Sequence, residues 1–269
     1  MFTYFISFAF GIGGYAAAHF AAGIGNGWSV AIGFAVLIAV QLGLSWYFMK
    51  KLKVEMGGVQ SIMAEGQKSI QAKVARWQIR PPGSIAEAQR IIFEDTCSFV
   101  KRAIAEADKL KKYRLWVPMI DRQIATAKFQ LNWMIKNFKE VDALMPRAIM
   151  LDPVSVSMKM ARFYMLDKPT EEITKVYEKA SRRLRYNENA LLAGCYTWIL
   201  VKRGDTDGAF KALTAALKKS DNETLKKNHQ CLMNNRPAQF SNSGLGDQWY
   251  ALHLEEPRMR ARQQRSVFR

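Results

Sequence analysis

Two apolar runs stand out in the pattern of hydrophobic and polar positions, both within residues 1–49. The first extends from about Phe2 to Ile24 and the second from about Trp28 to Met49, with a short glycine-rich break at 23–27 between them. A helix rises about 1.5 Å per residue, so each run spans roughly 33 to 35 Å, more than the hydrocarbon core of a bilayer. Because the break is short, the pattern predicts a transmembrane helical hairpin in residues 1–49.

Small residues recur every four positions in both runs, which places them on one face of each helix. Such faces let membrane helices approach closely. We predict that the following residues pack the two helices together: Gly14, Ala18, Ala22, Ala31, Ala35, Ala39 and Gly43. If the two stripes face different ways, one of them is instead a docking surface. A signal peptide followed by an apolar core helix is the alternative to a hairpin, but the first four residues lack the basic region of such a signal.

Charge changes abruptly at the end of the second run. Residues 1–49 contain no Asp, Glu, Lys or Arg, and the rest of the chain carries all 40 basic and 23 acidic residues, a net charge of +17. Lys50, Lys51 and Lys53 follow the second run directly. The positive-inside rule therefore predicts two transmembrane helices with both termini and the soluble part in the cytoplasm, at a bacterial inner membrane. The same lysines are predicted to contact anionic lipid.

The soluble part begins with a helical pattern. Residues 50–83 are predicted to form a basic juxtamembrane helix and linker, broken at Pro81-Pro82-Gly83. Ser84 and Glu87 have the spacing of a capping box, so a long amphipathic helix should follow within 84–121.

A period near 34 residues then marks the segment 122–222. Small and aromatic positions recur at similar intervals, and Ala148 and Pro153 are placed as at the end of one unit. The later units are marked by Ala161, Tyr164, Tyr177, Ala180, Gly204, Ala209, Leu213 and Ala216. This pattern resembles the tetratricopeptide-repeat (TPR) family. The resemblance implies an all-α chain in which a TPR-like α-solenoid follows the membrane hairpin. A generic helical bundle is the alternative.

The resemblance also implies a concave groove that holds a peptide or helix of another protein. Its expected lining is Gln130, Trp133, Arg162, Met165, Trp198 and Lys202. The alternative for Trp133 and Trp198 is a place in the core. Residues 223–257 are predicted to be C-terminal capping helices, and 258–269 form a basic tail with five arginines.

Candidate chemistry is sparse. No phosphate loop, zinc-protease motif, Cys-x-x-Cys pair or nucleophile elbow is present, so we expect no enzyme activity, cofactor or metal. His19, within the first apolar run, is expected to form a structural hydrogen bond, with cofactor ligation or proton handling as the alternative.

Two functions remain open. The first is a non-catalytic membrane-anchored scaffold that recruits partner proteins, either alone or beside other membrane subunits. The second is a basic membrane tether for nucleic acid or ribosomes, to which the net charge contributes.

Overall fold

The computed structural model describes residues 2–77, 79, 82–184 and 189–256. The regular secondary structure of these residues is helical, and no strand occurs among them. The all-α prediction is therefore confirmed. The chain forms two compact units, Met1–Ile149 and Met150–Arg269. The boundary between them falls inside the predicted repeat region, 122–222.

The described residues of the first unit form five α-helices. In chain order they are α1 (Phe2–Ala16), α2 (Asn26–Trp77), α3 (Ile85–Lys109), α4 (Ile120–Met134) and α5 (Phe138–Leu144). A π-helical turn, Ala17–Ala21, continues α1, and a 3₁₀ turn, Leu110–Tyr113, continues α3. Ser84 caps α3 as predicted, because its side chain accepts a hydrogen bond from the Glu87 backbone N–H at 3.1 Å.

The second helix, α2, is longer than the sequence indicated. It runs for 52 residues through the predicted boundary at Met49, so the second apolar run and the basic segment form one helix. No proline occurs within it, and Gly57-Gly58 lies inside the helix without ending it. A helix of this length extends roughly 78 Å.

Charged and apolar contacts pack the second half of α2 against α3 and α4. Leu52 of α2 is buried in a cluster with Leu110, Tyr113, Val117, Ile120 and Ile124. Further along α2, a side chain on Gly66 would meet the ring of Phe99, so the two helices approach closely there. Lys73 of α2 pairs with Asp95 of α3 at 2.5 Å.

The second unit continues with short antiparallel helices. They are α6 (Pro153–Met165), α7 (Thr170–Ser181), α8 (Ala190–Lys202), α9 (Thr206–Leu217), α10 (Glu223–Met233) and the short α11 (Asp247–Tyr250). Neighbouring helices pack in the pairs α6 with α7, α6 with α8, and α8 with α9. The reading of Pro153 as a helix stop is corrected. Asp152 caps α6 by accepting from the Ser155 N–H at 2.8 Å, and Pro153 is its first residue.

Helix α8 forms the centre of this unit. Its ten residues from Leu191 to Leu200 are all buried. The C-terminal segment covers one side of α8, where the rings of Trp198 and Trp249 meet at 5.6 Å. Both indole N–H groups donate to the carboxylate of Glu255, at 2.7 and 2.9 Å, so one acidic side chain satisfies two buried tryptophans.

Candidate functional site

The outer surface of α1 and of the first half of α2 is apolar. Large side chains stand exposed along both helices, with exposed fractions of 73% for Phe5, 80% for Phe20 and 75% for Trp28. Among the described residues, α2 is the one helix long and apolar enough to cross a membrane, judged by length and composition. α1 has 15 residues before its π-helical turn.

Polar side chains lie on the inside of this helix pair. Thr3 and Ser7 of α1 and Ser29 of α2 are buried. The hydroxyl of Ser7 donates to the side-chain oxygen of Gln41 at 2.8 Å and so joins the two helices. The Gln41 amide in turn donates to the Ser45 hydroxyl at 3.3 Å. The pair therefore reverses the usual order of a water-soluble fold, with polar groups inside and apolar groups outside.

Two glycines set the close approach of α1 and α2. A Cβ atom on Gly33 would lie 2.8 Å from the carbonyl oxygen of Gly11 and 2.9 Å from the Cβ of Tyr15. A Cβ on Gly11 would lie 2.9 Å from the Cβ of Leu37. Both positions are too tight for any residue larger than glycine without movement of the helices.

The structure corrects the predicted packing stripe. On α1 it agrees in part: Ala18 is buried, and a Cβ on Gly14 would lie 3.1 Å from Val36, whereas Ala22 is exposed beyond the π-helical turn. On α2 the predicted residues face away from α1 and are exposed: Ala31, Ala35, Ala39 and Gly43. The reason is that α2 carries a second set of small residues, Ser29 and Gly33, and this set complements α1.

Lysines lie one helical turn after aromatic residues where the apolar half of α2 ends. The Nζ atom of Lys50 lies 5.4 Å from the Trp46 ring centre, and that of Lys51 lies 4.7 Å from the Tyr47 ring centre. Lys50, Lys51 and Lys53 are all exposed. These are short cation–π contacts of ammonium groups that remain accessible to a ligand.

The segment Leu115–Val117 packs on the start of α1. The Phe2 N–H donates to the Leu115 carbonyl at 2.9 Å, and the Phe48 ring of α2 stacks on Trp116 at 4.8 Å. The start of α1, the middle of α2 and the chain before α4 therefore meet at one level.

A charged cluster reinforces this level. The carboxylate of Glu55 accepts hydrogen bonds from Lys112 and from the Tyr113 hydroxyl, both at 2.7 Å. Lys112, followed by Tyr113, lowers the pKa of Glu55 although partial burial opposes the shift. Bonding to the Glu55 carboxylate raises the pKa values of both Lys112 and Tyr113.

The residues predicted to line a groove are not equally accessible. Trp133 and Trp198 are 1% and 4% exposed, so both are core residues, as the alternative reading had it. Gln130 lies half-buried on α4 in the first unit. The remaining three are in the second unit, with Arg162 and Met165 half-buried on α6 and Lys202 exposed at the end of α8.

Side chains that could bind a metal do not cluster in the part of the chain that the structure describes. No set of three or more His, Cys, Asp or Glu residues there is placed to hold a metal ion. Cys97, Cys195 and Cys231 are free thiols, and burial raises the pKa of Cys195 well above its usual range. The Nδ1 atom of His19 lies 3.3 Å from the Ile24 carbonyl oxygen in the turn after α1, a contact of the structural kind that was expected.

Sequence reasoning missed the polar interface of the helix pair. The signal was present, because Thr3, Ser7, Gly11, Gly14 and Ala18 recur at three- and four-residue intervals on α1. A comparison with protein families, curated proteins and solved structures finds no match to this chain.

Proposed function

We propose that the protein is a non-catalytic, membrane-anchored scaffold with TPR-like repeats that organises partner proteins at the cytoplasmic face of a bacterial inner membrane. The observation that carries the proposal is the reversed helix pair, which hides hydroxyl and amide groups and exposes phenylalanine, tryptophan and aliphatic side chains. In water that surface would be costly, at about 25 cal/mol for each Å² of exposed apolar area. In a bilayer the same surface is matched by lipid chains.

The lengths of the helices suit two crossings. α1 and its π-helical turn comprise 15 and 5 residues, which at about 1.5 Å per residue extend roughly 30 Å. Interhelical hydrogen bonds such as Ser7 to Gln41, and glycine at the closest approach, are how membrane helices associate in the absence of a hydrophobic drive. The proposed hairpin therefore uses α1 and the first half of α2.

The basic residues support the proposed orientation. Lys50, Lys51 and Lys53 lie at the end of the apolar half of α2, where they would meet anionic headgroups in the cytoplasmic leaflet. A cysteine at Asn26, in a variant whose native Cys97 and Cys231 are serine, tests this. An impermeant maleimide should label Asn26→Cys in intact cells. A matched Lys101→Cys variant, on α3, should be labelled only after lysis, and the reverse pattern would reject the orientation.

Features of the second unit support stacked helical hairpins. Ala161, Ala180, Ala209, Leu213 and Ala216 are buried, as small and apolar packing positions between helices must be. Gly204 has φ of 84° after the end of α8, a conformation that favours glycine at a helix C-terminus. Packing of α6 against both α7 and α8 is the neighbour pattern expected of consecutive repeats.

Fewer residues are accessible to a partner than the predicted groove contained. Because Trp133 and Trp198 are buried, the binding face proposed for the second unit rests on Arg162, Met165 and Lys202. A partner segment with acidic groups and an apolar anchor suits this set. The exposed small residues of α2 remain available to another membrane subunit.

Crosslinking in intact membranes followed by mass spectrometry tests the scaffold. A recurrent protein partner whose recovery falls in an Arg162→Glu/Lys202→Glu variant is expected. Ala35→Leu, on the outer face of α2, should leave membrane insertion unchanged. It should lower the recovery of a partner that is a membrane subunit and leave the recovery of a soluble partner unchanged. Crosslinks to lipid and RNA alone, with no recurrent protein, would reject the scaffold in favour of a basic tether.

A further inference from the structure

A basic cavity lies in the first unit, between the start of α4 and the turn that follows α5. Its volume is about 920 Å³. Apolar walls come from both helices, and the charged side chains that line it are Lys111, Arg114, Asp121, Arg122, Lys128 and Arg147. Five of these six side chains are cations.

The cations of this cavity are only partly neutralised. Asp108, just outside, binds both Lys111 at 2.8 Å and Lys128 at 3.0 Å, and Asp121 binds Arg114 at 2.8 Å. Five cations against these two carboxylates leave a net charge of +3. Lys111, and after it Lys128, lower the pKa of Asp108, although burial opposes this shift. Asp108 is therefore ionised at neutral pH, and the net charge of +3 includes its negative charge.

Two exposed arginines, Arg122 and Arg147, also line the cavity. Within the described residues, no ion pair is formed by Arg122 or Arg147, and both are exposed. An arginine fork matches the oxygens of a phosphate in a bidentate geometry. The cavity therefore offers an anion two guanidinium groups that form no ion pair with any residue that the structure describes.

Hydrogen bonds of Thr126 join the two chain segments that carry Arg122 and Arg147. The Ile149 N–H donates to the Thr126 hydroxyl oxygen at 2.7 Å, and that hydroxyl lies 2.9 Å from the Arg122 carbonyl oxygen as a donor. Thr126 is one helical turn after Arg122, and Ile149 is two residues after Arg147. The turn after α5 is thereby fixed against α4.

One wall of the cavity is next to the segment that contacts the start of α1. Arg114 in its wall precedes Leu115, whose carbonyl oxygen accepts the Phe2 N–H at 2.9 Å. Leu115 and Met119, which precede and follow Trp116 in the chain, are 52% and 51% exposed. With the proposed membrane position, these apolar side chains reach the interfacial region and the cavity lies at headgroup depth.

We propose that this cavity binds the phosphate of an anionic phospholipid, with Arg122 and Arg147 as its main ligands. The proposal rests on the membrane location proposed above. A soluble phosphate offers the same oxygens. The lipid is favoured because the cavity is adjacent to the level of the bilayer surface, and its volume suits one headgroup rather than a polymer.

Binding of short-chain lipids to the full-length protein in uncharged detergent tests the site. Dihexanoyl phosphatidylglycerol should bind, and dihexanoyl phosphatidylcholine should not. Arg122→Gln/Arg147→Gln should weaken phosphatidylglycerol binding by about ten- to a hundredfold, because each of the two charged hydrogen bonds removed accounts for up to roughly a factor of ten. Arg122→Lys/Arg147→Lys should fall between, because it keeps the charge and loses the fork.

The matched control is Arg76→Gln/Lys101→Gln, which removes two exposed cations from α2 and α3 and should change the affinity less than twofold. An equal loss in this control, with unchanged thermal unfolding in all variants, would overturn the site in favour of general electrostatic attraction. Binding of glycerol phosphate or inorganic phosphate as tightly as the lipid would reassign the cavity to a soluble anion. Tight binding of such a soluble anion would show that the cavity binds phosphate even if the protein does not lie in a membrane. The two proposals can therefore fail separately.

Discussion

A methyl group at Gly33 is the most direct test of how α1 and α2 pack. Its Cβ would lie 2.8 Å from the carbonyl oxygen of Gly11 and 2.9 Å from the Cβ of Tyr15. Ordinary contacts between such atoms lie at about 3.5 to 4.0 Å, so the helices must separate by roughly 0.5 to 1 Å. Overpacking of this kind costs about 1 to 3 kcal/mol.

Gly43→Ala supplies the matched control for Gly33→Ala. Gly43 is in the same helix, and no atom lies within 4 Å of the Cβ that would be added. Alanine is favoured over glycine in a helix by about 1 kcal/mol, and both substitutions share this gain. The difference between the two variants therefore isolates the steric contact with α1.

Thermal unfolding of the full-length protein in mild detergent measures that difference. For a protein of this size, 1 kcal/mol corresponds to about 2 to 4 °C. We expect Gly33→Ala to unfold several degrees below Gly43→Ala. Removal of the Ser7 hydroxyl should also cost less in the Gly33→Ala background, because the separated helices no longer hold Ser7 against Gln41. Equal unfolding temperatures for the two alanine variants would refute the packing described here.

Three further predictions concern the rest of the chain. Glu255→Gln leaves one buried indole N–H of the two tryptophans without its acceptor and should destabilise the second unit by about 1 to 3 kcal/mol, measured as a lower urea midpoint of tryptophan fluorescence; an unchanged midpoint would contradict it. Lys112 and Tyr113 lower the pKa of Glu55, so its stabilisation is present above the unfolded value of about 4.3 and is lost as pH falls through the folded value; unfolding measured from pH 7 to 3 should show a smaller loss in Glu55→Gln than in the unaltered protein. Thr126→Val should weaken anionic-lipid binding without any change of charge, whereas Thr126→Ser should bind as the unaltered protein does.

Local signals in the sequence located several helix ends. The capping hydroxyl of Ser84 is a property of neighbouring residues, as is the left-handed conformation of Gly204, and both occur where the sequence placed them. Within the predicted capping segment 223–257, α10 ends at Met233, directly before Asn234-Asn235-Arg236-Pro237. Such features depend on few residues, so tertiary contacts do not alter them.

The packing face of α2 depended on information that α2 alone does not contain. Its apolar half carries two sets of small residues, and helical periodicity gives both equal weight. The choice is made by α1, where Gly11 and Tyr15 leave room for Gly33 and Ser7 provides the hydrogen bond to Gln41. A rule based on four-residue spacing selected the longer stripe, which faces away.

The repeat pattern left two readings of Trp198 open, a groove position and a core position, for a related reason. An amphipathic pattern distinguishes a core face from a binding face only when one side of a helix meets water. Residues Leu191–Leu200 of α8 are buried on every side, because α6 and α9 pack on it and Trp249 covers Trp198. The last of these contacts comes from 51 positions further along the chain, at a separation that no repeat period indicates.

The continuity of α2 helps to choose between the two proposed functions, the protein scaffold and the nucleic-acid tether. The same helix supplies the apolar pair, the lysines at its end, and the surface on which α3 and the Leu52 cluster pack. Since a Cβ on Gly66 would lie 2.6 Å from the Phe99 ring, α3 is seated closely on this helix. The first unit thus has no flexible linker between the proposed anchor and its soluble helices. A tether that attracts nucleic acid by charge would work equally well on a flexible linker, whereas a scaffold that must hold partners at a defined height above a bilayer requires rigid attachment. The continuous helix therefore favours the scaffold.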